Sequence, residues 1–483
     1  MKTILFFSRC QLTDLYAALS LKLKDDFNVI HVAYSLEESN TLNNYGINCD
    51  YIYQDLVGTL LNEDFDEELN REIDCLIIKE SNGRFNVNSS IQSDRGFNFL
   101  TYEEALLLAQ SQYKVWNEIF EKHKIDFFYH EPPSLFMNHI ASILCLRHNA
   151  SYCYDSMVKG EDNYNYLFLM QDTAFSPEIN KKMISINEVD IENNKQRIQN
   201  FLFDFRESYN IYFGDKFSIQ VNYLHLFIRS VKFFIRNNLV KSKVDRLRNN
   251  IDYYLLQHND HWNKLKNLVM YKIYLKFEDL DINRDYYYYS MNLEPESTVL
   301  YLGDGIYENQ IKLIMNIASQ LPSNTFLYVK DHPHFLGYRS FHDYLKLMRV
   351  PNIKVLKAEI PGKKIIKDCL GVFLINGTAG FEAAMLNKHV YTFGNMFYNI
   401  FERIHYIKNI KDLREVVYKN HNVKYKDDEK LFKFILAFLD STNKGVTDFF
   451  QGRMLLYDID HEENIDNIAK DLTYLFNNHT KIN

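Results

Sequence analysis

Short β-forming runs separated by helical stretches occur twice along this chain, and that double alternation restricts the fold more than any other feature. In the first third, residues 3–8 (TILFFS), 27–35 (FNVIHVAYS), 49–54 (CDYIYQ), 125–131 (IDFFYHE) and 151–155 (SYCYD) read as strands. The longest intervening helix starts at Thr101, where Thr101 and Glu104 form a T-x-x-E capping box ahead of an apolar-periodic run to Lys122. Strands that are apolar on both faces and separated by helices imply a parallel sheet covered on both sides. The alternation restarts near residue 297, with strands at 298–303, 325–331, 353–357, 371–375 and 389–393 and helices at 307–319, 338–349, 362–369 and 378–387. The predicted class is α/β, with two doubly wound domains.

Between them the pattern changes to long polar-and-aromatic helical stretches. Leu224, Phe227, Ile228, Val231, Phe234 and Ile235 recur at helical spacing. Arg229, Lys232, Arg236, Lys241, Lys243, Arg246 and Arg248 surround them, opposed only by Asp245. The expected division is 1–165, 166–290 as a helical insertion, 291–410, and 411–483 as helices packing back on the domains. A length of 483 residues suits that count at ~150 residues per domain.

Charge and cysteine usage then narrow the setting. Lys and Arg number 55 and Asp and Glu 63, a net charge of −8, which argues against nucleic acid as a partner. The six cysteines show no CxxC pair and read as reduced thiols of a cytoplasmic protein. No apolar run approaches the ~18 residues of a membrane span, and the apolar start of the chain is short for a signal peptide. The basic stretch 224–248 reads either as a solvated helix face or as a peripheral contact with an anionic inner membrane.

In doubly wound sheets, ligands bind beyond the carboxyl ends of the strands, so the residues just after each strand carry the functional information. Strand 325–331 runs into Lys330-Asp331-His332-Pro333, which offers two donors to a phosphate or presents an ordinary solvated turn. Strand 371–375 is followed by Asn376-Gly377-Thr378-Ala379-Gly380-Phe381-Glu382, a helix start able to hold an anion, with Glu382 one turn on. The competing reading is a tight turn whose glycines serve close packing. Asp304, between Gly303 and Gly305, is a candidate for a substrate hydroxyl or a plain turn cap. In the first domain Glu131, after His130 and before two prolines, and Asp155 are the candidate catalytic carboxylates. Arg9 and His130 are candidates for holding substrate. The Asp-x-Asp pairs at 64/66, 279/281 and 458/460 are what chance gives an acidic chain, and the histidines lack ligand spacing. No metal and no resident cofactor are expected.

The second domain resembles the capsule polysaccharide biosynthesis glycosyltransferases. The likeness rests on Leu293-Glu294-Pro295-Glu296-Ser297-Thr298, Lys330-Asp331-His332-Pro333, Asn376-Gly377-Thr378-Ala379-Gly380-Phe381-Glu382-Ala383 and Phe393-Gly394-Asn395-Met396-Phe397-Tyr398, in that order. Members of the family often carry an acidic residue followed by Pro-His in the first domain, where this chain has Glu131-Pro132-Pro133. The resemblance implies a GT-B fold: two Rossmann-like domains facing a cleft, the nucleotide-sugar donor in the second and the acceptor in the first. It implies a metal-independent transfer of a sugar, such as a CMP-activated acidic sugar of the Kdo kind, to a capsule or lipopolysaccharide glycan, some of them lipid-linked. It further implies Lys330, His332, Asn376, Gly377 and Thr378 at the donor phosphate, Glu382 near the ribose and Glu131 as the catalytic carboxylate. A UDP-sugar 2-epimerase of the same architecture and a non-catalytic nucleotide- or sugar-binding subunit are the alternatives.

Overall fold

The computed structural model describes residues 1–94, 96–97, 100–162, 164–208, 223–224, 226–228, 231, 260–294, 301–307, 309–447 and 460–478. They gather into two compact units, one drawn from Met1–Ile186 and Leu436–Asn483, the other from Asn187–Ser242 and Asp252–Ile435. These units cut the chain differently from the four stretches read off the sequence. The basic residues of 229–248 and the motif residues 295–300 lie outside the described residues.

The described residues of the first unit form a seven-stranded sheet flanked by helices. Its strands are β1 (Thr3–Ser8), β2 (Asn28–Ala33), β3 (Tyr51–Ile52), β4 (Phe127–Tyr129), β5 (Ser151–Val158), β6 (Asn165–Met170) and an edge strand, Asn443–Lys444. The order is edge strand, β6, β5, β4, β1, β2, β3. β5 through β3 are parallel, while β6 and the edge strand run antiparallel to their neighbours. All six residues of β1 are buried, as a central parallel strand covered on both faces requires. On one face α1 (Leu12–Leu23) and the C-terminal helix His461–Asn478 pack over Phe6, Phe127, Tyr129 and Phe168, with Phe476 stacked 4.1 Å from Phe127. The other face buries Trp116 of α2 (Tyr102–Lys122) among Phe7, Tyr53 and Phe128, with α3 (Phe136–Arg147) packed against α2. The box at the start of α2 forms as its sequence foretells, with Thr101 N–H donating to Glu104 and Glu104 N–H to the Thr101 hydroxyl.

The described residues of the second unit form six parallel strands: β7 (Tyr286–Ser290), β8 (Phe326–Lys330), β9 (Ile353–Val355), β10 (Gly371–Leu374), β11 (His389–Thr392) and β12 (Ile404–Tyr406). Their order is β12-β11-β10-β7-β8-β9. Helices α4 (Asp260–Tyr274), α5 (Gln310–Gln320), α6 (Phe341–Met348) and α7 (Thr378–Met385) flank the sheet. Here the structure corrects one sequence expectation. The first strand is Tyr286–Ser290, inside the stretch read as a helical insertion, whereas 301–303, the described end of the run 298–303, lie in turns. Four consecutive tyrosines look like a surface, yet Tyr286, Tyr287, Tyr288 and Tyr289 are all buried. Their hydroxyls find partners: Tyr286 donates to Ile365 O, Tyr289 to Gln310 Oε1, and Tyr287 bonds His421 Nδ1. The α/β class with two Rossmann-like sheets is the one the sequence implied.

Buried histidines give the second unit an acid limit. His389 Nε2–H donates to Val423 O at 2.8 Å, so its Nδ1 accepts from His405 Nε2 at 3.2 Å. Burial, then the neighbouring His389, pushes His405 down to about 4, and burial lowers His389 as well. Both therefore bind protons more weakly in the fold than in the open chain. Their stabilising share is complete above the ordinary value near 6.5 and is lost as pH falls toward 4. Asp427, lowered mainly by its bond from Arg206, acts in the same direction. In the first unit Asp155 and Asp471, both raised by burial, oppose the lowered His31 and His130. The second unit is accordingly expected to melt first on acidification. Calorimetry from pH 7 to 4 should show its transition falling, with a shallower slope in His405→Gln; a flat profile in that window would refute this.

Candidate functional site

Strand order reverses between β10 and β7, so a crevice opens there at the carboxyl ends of the strands. β7 delivers Asn292 to it and β10 delivers Asn376 and Gly377. Asn292 Nδ2 donates across the crevice to Asn376 O at 3.0 Å and to its Oδ1 at 3.1 Å. Asn292 Oδ1 is shut off from solvent with no hydrogen-bond partner among the described residues. A buried acceptor left in this state costs about 1–3 kcal/mol, a cost that a donor group on a ligand would remove.

β8 adds Lys330-Asp331-His332. Lys330 is 7% exposed, and among the described residues its ammonium has only long contacts, 3.4 Å each, to the carbonyls of Asp331 and Ala358. Burial lowers its pKa, while the charges of Asp331, Glu382 and Glu359 work the other way. Asp331 is itself buried. It accepts from Arg339 Nε and the Tyr344 hydroxyl, both at 2.6 Å, and from the His332 N–H at 2.8 Å. The His332 side chain is exposed. Arg339 also pairs with Glu294 and donates to Asn292 O at 3.3 Å, so one buried guanidinium ties together the loops after β7 and β8. Gln310 of α5 completes the frame, donating to Glu294 at 2.7 Å and accepting from Asn292 N–H at 2.9 Å.

α7 begins at this crevice without a side-chain cap. Its N-cap, Gly377, has φ +119, a conformation open to glycine and strained for other residues. The Tyr398 hydroxyl donates to Gly377 O at 2.6 Å, and a Cβ on Gly380 would lie 2.5 Å from that hydroxyl, so both glycines are fixed by local geometry. Thr378 is exposed at the first turn, where backbone N–H groups favour an anion. Glu382 is buried on the same helix, close enough that its charge bears on Lys330, Tyr398 and Tyr288. The structure thus gathers Lys330, Asn376, Gly377, Thr378 and Glu382 at the strand ends, with His332 on the adjoining loop. Asp304 stands apart: in a left-handed turn (φ 58) it accepts from Asn395 and the Tyr406 hydroxyl, which follow β11 and end β12.

In the first unit, Arg9 after β1 and Glu131 after the neighbouring β4 form an ion pair at the carboxyl edge of the sheet. Ser134 donates to the same Glu131 oxygen at 3.3 Å, and the Tyr152 hydroxyl holds Glu131 O at 2.7 Å. The Glu131 side chain is 30% exposed, whereas Arg9 is buried with its guanidinium 5.3 Å from the Tyr34 ring. Asp155 accepts from Tyr129 at 2.7 Å and is raised by burial. It joins Glu131 around one side chain: the Tyr16 hydroxyl is held up by burial and then by the charges of Asp155 and Glu131. His130 is 1% exposed behind them, packed 4.5 Å from Phe7, and burial lowers it to about 4. Its Nε2 lies 3.7 Å from Glu131 Oε1.

Asn292, Glu294, Gln310, Arg339, Tyr344 and Tyr398 were not singled out as site residues from the sequence, although Glu294 and Tyr398 lie within the family-like segments. Of the Asp-x-Asp pairs, Asp66 caps a helix, Asp279 pairs with Lys357 and Asp281 with Arg284. No group of three His, Cys, Asp or Glu able to hold a metal occurs among the described residues. Among those residues, too, no helix is long and apolar enough to cross a membrane.

Residues 225–420 match the family described as capsule polysaccharide biosynthesis protein, and the four family-like segments all lie within that stretch. Protein FixF of Sinorhizobium fredii is 33% identical over 96 residues, 19% of this chain and 21% of its own length, so the match spans about a fifth of that relative. Similar solved structures include the beta Kdo 2,4 transferase of Thermosulfurimonas dismutans KpsC (12% identity, 72% of this chain and 87% of that chain, TM-score 0.32). The UDP-GlcNAc 2-epimerase of Methanocaldococcus jannaschii is another (11%, 91% and 99%, TM-score 0.27), as is MnaA of S. aureus with UDP (10%, 90% and 90%, TM-score 0.25). Likenesses of this size leave the functional reading to the site itself.

Proposed function

We propose that this chain, whose residues 225–420 match the capsule polysaccharide biosynthesis family, is a glycosyltransferase. Its donor is a nucleotide sugar, a CMP-activated acidic sugar being the leading candidate, and its acceptor is a glycan of capsule or lipopolysaccharide type. The observation that carries the reading is the buried Lys330 ammonium, which among the described residues has only long carbonyl contacts, at the same strand ends as the uncapped start of α7. A phosphate placed there would gain a charge-assisted bond from Lys330, bonds from the first-turn N–H groups and the Thr378 hydroxyl, and the reach of His332.

As the glycosidic bond to phosphate breaks, negative charge grows on the leaving oxygen, and these fixed donors stabilise it. Asn292 Oδ1 and Glu382 would accept hydroxyl protons of the ribose or sugar. In the first unit Glu131, oriented by Arg9 and Ser134, would take the proton of the acceptor hydroxyl, with Asp155 as the second carboxylate. No resident metal or cofactor is part of this proposal.

The reading is tested by thermal shift with CMP, UDP and GDP on the wild type, Lys330→Met and His332→Ala. One nucleotide is expected to raise the melting temperature selectively, corresponding to about 2.7 kcal/mol at a hundred times its Kd, and the rise should vanish in Lys330→Met. No shift with any nucleotide at millimolar concentration would count against the proposal.

A further inference from the structure

A separate cavity of about 440 Å³ lies at the other end of α7. The crevice meets α7 at Gly377 and Thr378, whereas Arg206, in the wall of this cavity, donates through Nε to Met385 O at 2.8 Å. The two ends are about 10 Å apart along the helix axis. One wall is the helix Lys195–Glu207. Its Ile198, Phe201, Leu202 and Phe205 are buried, which leaves Gln199, Phe203 and Glu207 at i, i+4 and i+8 on the outer face. All three line the cavity, and Phe203 is 67% exposed.

The polar wall is an ion pair held from several sides. Arg206 donates from Nη1 to Asp427 Oδ2 at 2.9 Å and from Nη2 to Oδ1 at 2.7 Å. Asn387 Nδ2 donates to the same Oδ1 at 2.7 Å. Among the described residues these bonds, with the one to Met385, engage three of the five guanidinium N–H groups and three of the four carboxylate lone pairs. A spare donor and a spare acceptor therefore stand side by side on a fixed frame. A hydroxyl group both donates and accepts, so two neighbouring hydroxyls of a sugar ring match this pair. The open face of Phe203 is electron-rich and suits the C–H face of the same ring.

Other ligand classes match this wall poorly. The Arg206–Asp427 pair has no net charge and Glu207 is acidic, so a phosphate or carboxylate meets repulsion. A hydrocarbon would take water from Arg206, Asp427 and Glu207 and return no hydrogen bond.

We propose that this cavity binds a neutral sugar ring of a glycan, stacked on Phe203 with two neighbouring hydroxyls on Arg206 and Asp427. The site goes beyond the transfer reaction and does not rest on it, because none of Lys330, Asn376, Thr378 and Glu382 lines the cavity.

The test is saturation-transfer NMR of the full chain with cellobiose, lactose and chitobiose, with glucuronic acid as the charged control. Saturable binding of at least one of the three neutral disaccharides is expected, weakened about tenfold in Phe203→Ala and retained in Phe203→Trp. Because Phe203 is exposed, both variants should keep the wild-type melting temperature and the wild-type response to nucleotides, which separates this site from the crevice. No saturable binding of any of the three disaccharides, full affinity in Phe203→Ala, or glucuronic acid bound as tightly as the neutral sugars would each overturn the proposal.

Discussion

Arg339→Met is expected to destabilise the second unit by about 3–5 kcal/mol, because it leaves two carboxylates without their cation in a buried site. The guanidinium is almost wholly buried and donates to Asp331 through Nε, to Glu294 through Nη1 and to Asn292 O through Nη2. Methionine would keep much of the volume and none of the five donors. For a unit of this size the loss corresponds to a fall of about 10 °C in its melting temperature. Lysine keeps the charge and cannot reproduce the fork, so Arg339→Lys should fall between the two. Adding Asp331→Asn to Arg339→Met removes one stranded charge and should recover part of the stability. If Arg339→Met melts with the wild type, the buried network is not what fixes the β7 and β8 loops.

Glu131→Gln is expected to lower turnover by about 10²–10⁴-fold with nucleotide binding unchanged. Glutamine keeps the shape and can still accept from Ser134 and Arg9, so the fold should survive while the proton acceptor is lost. Asp155→Asn tests the second carboxylate. Asp155 lies among the tyrosines Tyr16 and Tyr129 and its pKa is raised by burial, so replacing it removes a group that orders the site rather than one that faces acceptor. Its loss should cost less in turnover than that of Glu131. The reverse order would move the catalytic role to Asp155, and a full rate in Glu131→Gln would remove Glu131 from the chemistry.

Much of the fold was legible because central parallel strands must be apolar on both faces. β1 and β8 announce themselves in this way, and the capping box at Thr101 marks the longest helix of the first unit. β7 was missed because tyrosine hydroxyls make a buried strand look amphipathic, and their partners Ile365, Gln310 and His421 are distant in sequence. Within the site, the helix start at Gly377 is a local pattern and could be read locally. Arg339 has no such signature. Its value comes from Asp331, eight positions away, and Glu294, forty-five positions away, brought together by two strand ends. The burial of His130 against Phe7 was equally hidden, because its packing partner comes from a different strand.

The central claim is that a nucleotide sugar is cleaved at its phosphate and the sugar handed on. The most direct measurement is phosphorus NMR of CMP-, UDP- and GDP-sugars incubated with the protein and a capsular or lipopolysaccharide glycan. The expected result is growth of one free nucleotide at the expense of its sugar-linked form, dependent on glycan and absent in Lys330→Met. A donor whose sugar changes while staying attached to its nucleotide would contradict transfer and mark an epimerase. Donors that bind and persist unchanged, with every class of glycan supplied, would contradict catalysis and leave a binding protein.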